Sequence, residues 1–74
     1  MTHSRAHLLL QTDPGRADDV ASYVAALNSV TETVVTSGPY DVIATVEDTD
    51  DMSRLLAETK RAPGLTRLCV CRTT

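Results

Sequence analysis

Aromatic residues are almost absent from this chain of 74 residues. It contains no phenylalanine and no tryptophan, and its only aromatic residues are Tyr23 and Tyr40. The hydrophobic core must therefore be built from valine, leucine, isoleucine and alanine. A domain of this length buries only about 60–65% of the surface that its unfolded chain exposes, so an isolated copy is marginally stable. We therefore expect it to associate with copies of itself.

Basic residues are few, and they are dispersed among acids. The formal net charge is −3 and the pI is about 5.1, so direct nucleic-acid binding, which usually needs a basic face, is not expected. No apolar run approaches the roughly 20 residues that span a membrane, and Leu8-Leu9-Leu10 is too short for the core of a signal peptide. We expect a cytoplasmic protein that makes no membrane contact.

The chain has only two cysteines and two histidines. Cys69 and Cys71 are separated by one residue on a predicted strand, so both thiols lie on one face. Their Cα atoms are then about 6.5–7 Å apart, at or beyond the range of a disulfide. We expect two reduced thiols. His7 is the one neighbour that could add a metal ligand. For this histidine, a half-buried position on a sheet face is favoured over a redox or metal-binding role.

Catalytic and cofactor-binding patterns are also missing. Neither His3 nor His7 belongs to a recognisable Ser/His/Asp or Cys/His arrangement. There is no P-loop, no dinucleotide-binding fingerprint and no zinc-ligand spacing. The acidic run Glu47-Asp48-Thr49-Asp50-Asp51 lacks the glycine and the closing glutamate of a calcium loop, and we interpret it as charge capping of the following helix. The sequence indicates no catalytic residue, no metal and no cofactor.

All the glycines and prolines occur in three dipeptides, which are Pro14-Gly15, Gly38-Pro39 and Pro63-Gly64. These dipeptides divide the chain into four blocks. Periodicity within the blocks predicts strands over 6–12, 30–37, 40–47 and 65–72 and helices over 16–26 and 52–61. Residues 1–5 carry no pattern and predict a mobile end. With right-handed crossovers, the order β-α-β-β-α-β forms a four-stranded antiparallel sheet with both helices on one face. The predicted fold is therefore α+β and ferredoxin-like, in one domain over residues 1–74.

Alternation along the predicted strands assigns their side chains to two faces. The face toward the helices is expected to carry Leu8, Leu10, Val42, Ala44, Val46, Leu68 and Val70. The opposite face, here called the open face, carries His7, Leu9, Gln11, Ile43, Thr45, Cys69 and Cys71. It is too apolar to be left wholly in water. We therefore predict a homodimer in which the open faces of two copies cover each other.

The turn of residues 36–41, Thr-Ser-Gly-Pro-Tyr-Asp, contains the residue types that a small polar ligand needs. Gly38 has no side chain to shield its backbone, and Pro39 stiffens the turn. Asp41 adds a carboxylate and Tyr40 adds an aromatic wall with a hydroxyl, so the turn could hold a zwitterion such as a free amino acid. From this hexapeptide alone, a tight β-hairpin turn with no ligand is the alternative.

Three motifs together resemble the effector domain of the Lrp/AsnC family of amino-acid-responsive regulators, the RAM (regulation of amino acid metabolism) domain. They are Asp13-Pro14-Gly15 before a helix, Ser37-Gly38-Pro39-Tyr40-Asp41 between the middle strands, and Pro63-Gly64-Leu65 before the last strand. The resemblance extends over nearly the whole chain, from about position 6 to position 72. Its most specific part is Gly38-Pro39-Tyr40-Asp41, which matches the Gly-x-Tyr/Phe-Asp turn of the family.

The resemblance implies a dimeric α/β-barrel assembly that pairs through its sheets and forms higher oligomers, such as an octameric ring of four dimers. It also implies that an amino acid or a related molecule binds between dimers near the turn. Gly38 would offer backbone contacts, Tyr40 would line the pocket, and Asp41 would hold the amino group of the ligand or fix the turn. Thr36, Ser37 and residues of a neighbouring subunit would complete the site.

Full-length members of that family carry an amino-terminal helix-turn-helix domain that binds DNA, whereas this sequence begins almost directly at its first strand. The resemblance therefore implies a stand-alone effector domain linked to transcriptional regulation. Such a domain would act by assembling with itself or with a DNA-binding Lrp/AsnC relative, or by contacting another protein.

Two alternatives to this sensor remain open. A ligand-free structural assembly module is favoured if side chains fill the space near Gly38. A small enzyme of the dimeric α/β-barrel type needs a cleft between sheet and helices lined by histidine, asparagine or aromatic groups, and the chain has almost none of them. We favour the sensor, and we expect no enzymatic activity.

Overall fold

The computed structural model describes residues 5–47 and 52–73. Its elements in chain order are β1 (Arg5–Thr12), α1 (Ala17–Ala25), β2 (Val30–Val35), β3 (Val42–Glu47), α2 (Met52–Thr59) and β4 (Leu65–Thr73). The strands form one antiparallel sheet in the order β2-β3-β1-β4. The predicted α+β, ferredoxin-like arrangement is confirmed.

The core lies between the helices and one face of the sheet. Alternating residues of the two central strands are buried there, together with one stripe from each helix: Leu8, Leu10, Val42, Ala44, Val46, Val20, Val24 and Leu55. Burying one leucine or valine side chain contributes about 1.5–3 kcal/mol, so this apolar layer dominates the stability of the fold. The apolar residues of the first helix form one stripe toward the sheet, with Ala17, Ala21 and Leu27 packed at its margins.

Burial on the helix-facing side weakens at the edge strand β4. Leu68 lies opposite Leu10 in register and is half-buried against the core. Val70 lies opposite Leu8, and its side chain is 38% exposed. Val70 therefore lies on the helix-facing side of the sheet, as predicted, but it is exposed there. An edge strand has a neighbour on only one side, so its residues receive less cover than those of the central strands.

The first strand begins one residue earlier than the sequence predicts. Arg5 pairs in register with Glu47, and its guanidinium lies 3.1 Å from the Glu47 carboxylate. β1 therefore includes Arg5, the last residue of the predicted mobile end, and the other residues of that end lie outside the described part of the chain. Residues 48–51 of the acidic run also lie outside it.

Two turns meet at the end of the sheet where β1 finishes. Gly15 and Gly64 adopt positive φ angles of 81° and 94°, a region that glycine enters without steric cost. The Asp13 amide donates a hydrogen bond of 2.8 Å to the Gly64 carbonyl. A Cβ atom on Gly64 would lie 2.7 Å from the Cβ of Arg16. Backbone conformation and close packing therefore both require glycine at position 64.

Both helices are short, with nine residues in α1 and eight in α2. Within residues 5–47 and 52–73, no helix is long and apolar enough to cross a membrane. The expectation that the chain makes no membrane contact stays a prediction.

Candidate functional site

The turn of residues 36–41 is longer than the sequence predicts. Pairing between β2 and β3 ends at Val35 and Val42, so the predicted strand ends at 37 and 40 extend too far. The Thr36 hydroxyl donates to the Tyr40 carbonyl, and the Thr36 amide donates to the Asp41 carbonyl at 2.8 Å. Pro39 has no N–H to contribute to a ladder. The two Thr36 hydrogen bonds close the loop at its base, directly after the last strand pair.

Asp41 attaches this loop to the end of β1. Its Oδ2 accepts a hydrogen bond of 2.8 Å from the Thr12 amide, and its own amide donates to the Leu10 carbonyl, also at 2.8 Å. These are the contacts expected of a residue that fixes the turn, which is one of the two roles implied for Asp41. The second role, binding an amino group, stays a prediction for the remaining carboxylate oxygen.

Two further side-chain contacts fold the loop over the open face. The Gln11 amide group donates to the Pro39 carbonyl at 2.7 Å. The Tyr40 hydroxyl lies 3.6 Å from the Cys69 sulfur and donates to it. Because β1 lies between β3 and β4, Tyr40 must reach across β1 to make this contact. The loop therefore covers one end of the open face.

The environment of Tyr40 favours its neutral, hydrogen-bond-donating form. The hydrogen bond to Cys69 raises the pKa of the Tyr40 hydroxyl, and the negative charge that this sulfur can carry and desolvation add to the increase. The positive charge of Arg67 acts in the opposite direction. At neutral pH the Tyr40 hydroxyl is thus available as a donor.

Part of the loop is not used by the fold. Nothing lies within 4 Å of the position that a Cβ on Gly38 would occupy. Within the described residues, the amides of Ser37, Gly38 and Tyr40 donate no hydrogen bond. Ser37 and Gly38 are exposed. The loop therefore offers open space beside backbone donors.

The structure places all five predicted ligand-binding residues in this one loop: Thr36, Ser37, Gly38, Tyr40 and Asp41. It also brings to the loop four residues that sequence reasoning did not include in the site, which are Leu10, Gln11, Thr12 and Cys69. Alternation had already assigned Gln11 and Cys69 to the open face. No periodic signal, however, indicates that the loop folds back over that face.

The open face also carries the candidate metal ligands named in the sequence analysis, which are His7, Cys69 and Cys71. The Nδ1 of His7 lies 3.3 Å from the Thr45 hydroxyl oxygen, and His7 is opposite Cys71 in register. Both cysteines are free thiols; Cys69 is half-buried and Cys71 is exposed. In residues 5–47 and 52–73, no group of three or more His, Cys, Asp or Glu side chains is placed to hold a metal ion.

Among residues 5–47 and 52–73, mainly apolar side chains lie in the space between sheet and helices. Leucine, valine and alanine fill it, and Thr59 is the only buried polar residue of the described chain. The Thr59 hydroxyl donates to the Leu55 carbonyl within α2 at 2.8 Å. Of the histidine and aromatic groups that a small enzyme of this fold needs there, the described part of the chain supplies only Tyr23, which packs against the core.

The sequence and the fold both match known proteins. A family model described as the Lrp/AsnC ligand binding domain matches residues 5–70. The structure of TTHA0845 from Thermus thermophilus superposes with a TM-score of 0.79 at 23% identity, over 96% of this chain and 92% of that chain. E. coli AsnC superposes with a TM-score of 0.80 at 14% identity, over 95% of this chain and 50% of that chain.

A third solved structure is the complex of the transcriptional regulator NMB0573 from Neisseria meningitidis with L-Met. It superposes with a TM-score of 0.78 at 16% identity, over 96% of this chain and 49% of that chain. At these identities the solved structures show a shared fold alone. The chain spans about half the length of AsnC and of NMB0573, but nearly all of TTHA0845. No match to the chain is found among curated proteins.

Proposed function

The chain belongs to the Lrp/AsnC ligand-binding domain family, and from this premise we propose that it is an effector-binding domain that responds to a small molecule of the amino-acid class through its assembly. The complex of NMB0573 with L-Met, a protein of the same fold, supports this ligand class. The proposed function is regulatory binding in the cytoplasm, linked to transcription, and not catalysis.

The attachment of the loop to the open face is the observation that carries this proposal. The Gln11 side chain donates a hydrogen bond to the Pro39 carbonyl, and the Thr12 amide donates one to the Asp41 carboxylate. The Tyr40 hydroxyl donates one to the Cys69 sulfur. A molecule that binds the loop and shifts it must disturb these contacts. Ligand binding at the loop would therefore change the contacts between the loop and the open face.

The open face is the proposed contact between two copies. Leu9, Ile43 and Cys69 are half-buried on it, and Val34, opposite Ile43 in register, is 46% exposed. Pairing two such faces removes this apolar surface from water, which stabilises a homodimer. Dimers would assemble further, as an octamer or together with a DNA-binding relative of the family.

In this proposal each residue of the loop has a distinct role. The amides of Ser37 and Gly38 donate hydrogen bonds to the ligand, and Tyr40 forms a wall of the site. The free carboxylate oxygen of Asp41 accepts from an amino group, while Thr36 holds the loop closed. The ligand changes assembly to the extent that its affinities for two assembly states differ.

A ligand-free assembly module is the second candidate, because the loop uses the Thr36 hydroxyl and one oxygen of Asp41 for its own structure. The open space at Gly38 and the unused amides favour the sensor over this module.

Thermal unfolding against the twenty amino acids, each at millimolar concentration, tests the proposal. A ligand present at about 100 times its dissociation constant adds roughly 2.7 kcal/mol, which raises the Tm of a small domain by several degrees or more. Gly38→Leu fills the open space by the loop, and Ala57→Leu adds the same bulk at an exposed position of α2.

We expect one chemical group of amino acids to stabilise the wild type and Ala57→Leu but not Gly38→Leu. A shift that persists in Gly38→Leu would place the ligand away from the loop. A flat panel would contradict the sensor and favour the assembly module.

A further inference from the structure

One cation lies beside the loop on the open face. Arg67 is opposite Gln11 in register, and it precedes Cys69 on the same face of β4. Gln11 and Cys69 are two of the residues that hold the loop down. The exposed Arg67 side chain thus starts from the end of the sheet that the loop covers.

The charge of Arg67 is not neutralised within the described residues. Arg5 pairs with Glu47, and Arg16 pairs with Asp19 at 3.1 Å. Arg67 makes no ion pair in residues 5–47 and 52–73. The Tyr40 hydroxyl donates to Cys69, and Arg67 lies two residues before Cys69 on the same face of β4, so both groups belong to the same end of the open face. The positive charge of Arg67 lowers the pKa of Tyr40, against the larger raising effect of Cys69. The loop is therefore flanked by an unpaired cation and a neutral donor.

We propose that Arg67 binds the carboxylate of the effector, with the Tyr40 hydroxyl as a second donor. This inference rests on the proposed function and adds the group that recognises the acid end of the ligand. A guanidinium matches a carboxylate with two parallel hydrogen bonds. A thiol sulfur is a weak acceptor, so a carboxylate would displace Cys69 as the partner of Tyr40. Binding then releases one of the contacts that hold the loop to the open face.

Titration calorimetry of three proteins tests the role of Arg67: the wild type, Arg67→Gln and Arg72→Gln. The control, Arg72, lies on the same strand opposite Ala6, and so on the helix-facing side of the sheet. The ligands are the amino acid that stabilises the wild type most and its carboxamide, which lacks the negative charge. A charge-assisted hydrogen bond is strong enough that its loss raises Kd by roughly tenfold or more.

We expect that rise for Arg67→Gln and an unchanged Kd for Arg72→Gln. The wild type should bind the carboxamide as weakly as Arg67→Gln binds the acid, and Arg67→Gln should no longer distinguish the two ligands. Loss of this discrimination separates a carboxylate contact from a general loss of stability. An unchanged Kd in Arg67→Gln would overturn the role of Arg67 while leaving the amino-acid sensor intact.

Tyr40→Phe tests the second donor, because it keeps the aromatic wall and removes the hydroxyl. A neutral hydrogen bond contributes less, so we expect Kd to rise roughly two- to tenfold. An unchanged Kd would remove Tyr40 from the proposed contact.

Failure of the proposed amino-acid binding can be distinguished from failure of the Arg67 contact. If none of the twenty amino acids binds the wild type, the proposed function fails, and the corresponding 2-oxo acids, which keep the carboxylate and lack the amino group, become the probes. Binding of a 2-oxo acid that is lost in Arg67→Gln would uphold the carboxylate site. Absence of binding by these acids would overturn it as well.

Discussion

The Asp41 carboxylate accepts a hydrogen bond of 2.8 Å from the Thr12 amide, and it thereby joins the candidate ligand-binding loop to the last residue of β1. Thr12 follows Gln11, whose side chain holds Pro39 of the same loop. The loop is therefore hydrogen-bonded to two consecutive residues at the end of β1. A residue that sequence reasoning assigns to ligand binding is at the same time part of the fold.

Asp41→Ala is expected to lower both stability and ligand affinity. It leaves the half-buried Thr12 amide without its partner, which costs about 1–3 kcal/mol of unfolding free energy. Urea denaturation measures this loss, and Asp41→Asn, which keeps an acceptor oxygen, should lose less. The dimer should remain intact in sedimentation experiments, because the substitution leaves the apolar residues of the open face in place. An unchanged stability of Asp41→Ala would show that the carboxylate does not fix the loop.

Gly64→Ala should destabilise the fold more than Gly15→Ala. Both positions have positive φ, which costs a residue with a side chain roughly 1–2 kcal/mol. Only at Gly64 does the added Cβ also meet the Arg16 side chain, at 2.7 Å; at Gly15 nothing lies within 4 Å. Thermal or urea unfolding of both variants measures the difference. If the two lose the same stability, Arg16 moves aside without cost.

Removing the Cys69 thiol should lower the pKa of Tyr40. The ordinary value is about 10, and the hydrogen bond to Cys69 is the first cause of its increase. In a Tyr23→Phe background Tyr40 is the only tyrosine, so tyrosinate absorbance reports its titration alone. Cys69→Ala should bring the midpoint down toward 10, whereas the control Cys71→Ala should leave it in place.

The raised pKa of Tyr40 determines how the contribution of the Tyr40–Cys69 hydrogen bond to stability depends on pH. A tyrosine whose folded-state pKa is raised stabilises the fold fully below about pH 10, and this contribution is lost as the pH rises through the folded-state pKa. The stability difference between wild type and Cys69→Ala should therefore shrink in alkali. A difference that grows above pH 10 would contradict the assigned cause.

A charge at the centre of the open face should prevent dimerisation. Ile43 is half-buried there, so Ile43→Asp would place a carboxylate in the proposed dimer contact at a large desolvation cost. Val35→Asp is the control, since Val35 is 46% exposed and lies beside Val42 on the helix-facing side. Sedimentation velocity should show a monomer for Ile43→Asp and the wild-type size for Val35→Asp. An unchanged size for Ile43→Asp would locate self-association on another surface.

Local periodicity is sufficient to predict the elements and most of the core. The spacing of Val20 and Val24 on one helix face, and the alternation of Leu8 with Leu10, are properties of short segments and need no knowledge of the rest of the chain. Both pairs are buried as their periods require. Alternation also assigns Val70 to the correct side, but its exposure depends on β4 lying at the edge of the sheet, which a local period does not encode.

The geometry of the site depends on contacts that periodicity does not encode. Tyr40 meets Cys69 across a separation of 29 residues, and the Thr36 hydroxyl bonds to the Tyr40 carbonyl inside the loop. Composition identifies the loop as a candidate site, because glycine, proline, tyrosine and aspartate are adjacent there. Its fold over the open face, and the strand register that places Arg67 opposite Gln11, follow only from the tertiary structure.

Sedimentation velocity of the purified chain, with and without each amino acid that raises its Tm, tests most directly whether binding at the loop is coupled to assembly through the open face. We predict that an amino acid which stabilises the wild type also changes its distribution between dimers and larger assemblies, and that Gly38→Leu abolishes this change. An assembly distribution that the bound amino acid leaves unaltered would contradict the coupling, since a ligand with equal affinity for two states shifts neither.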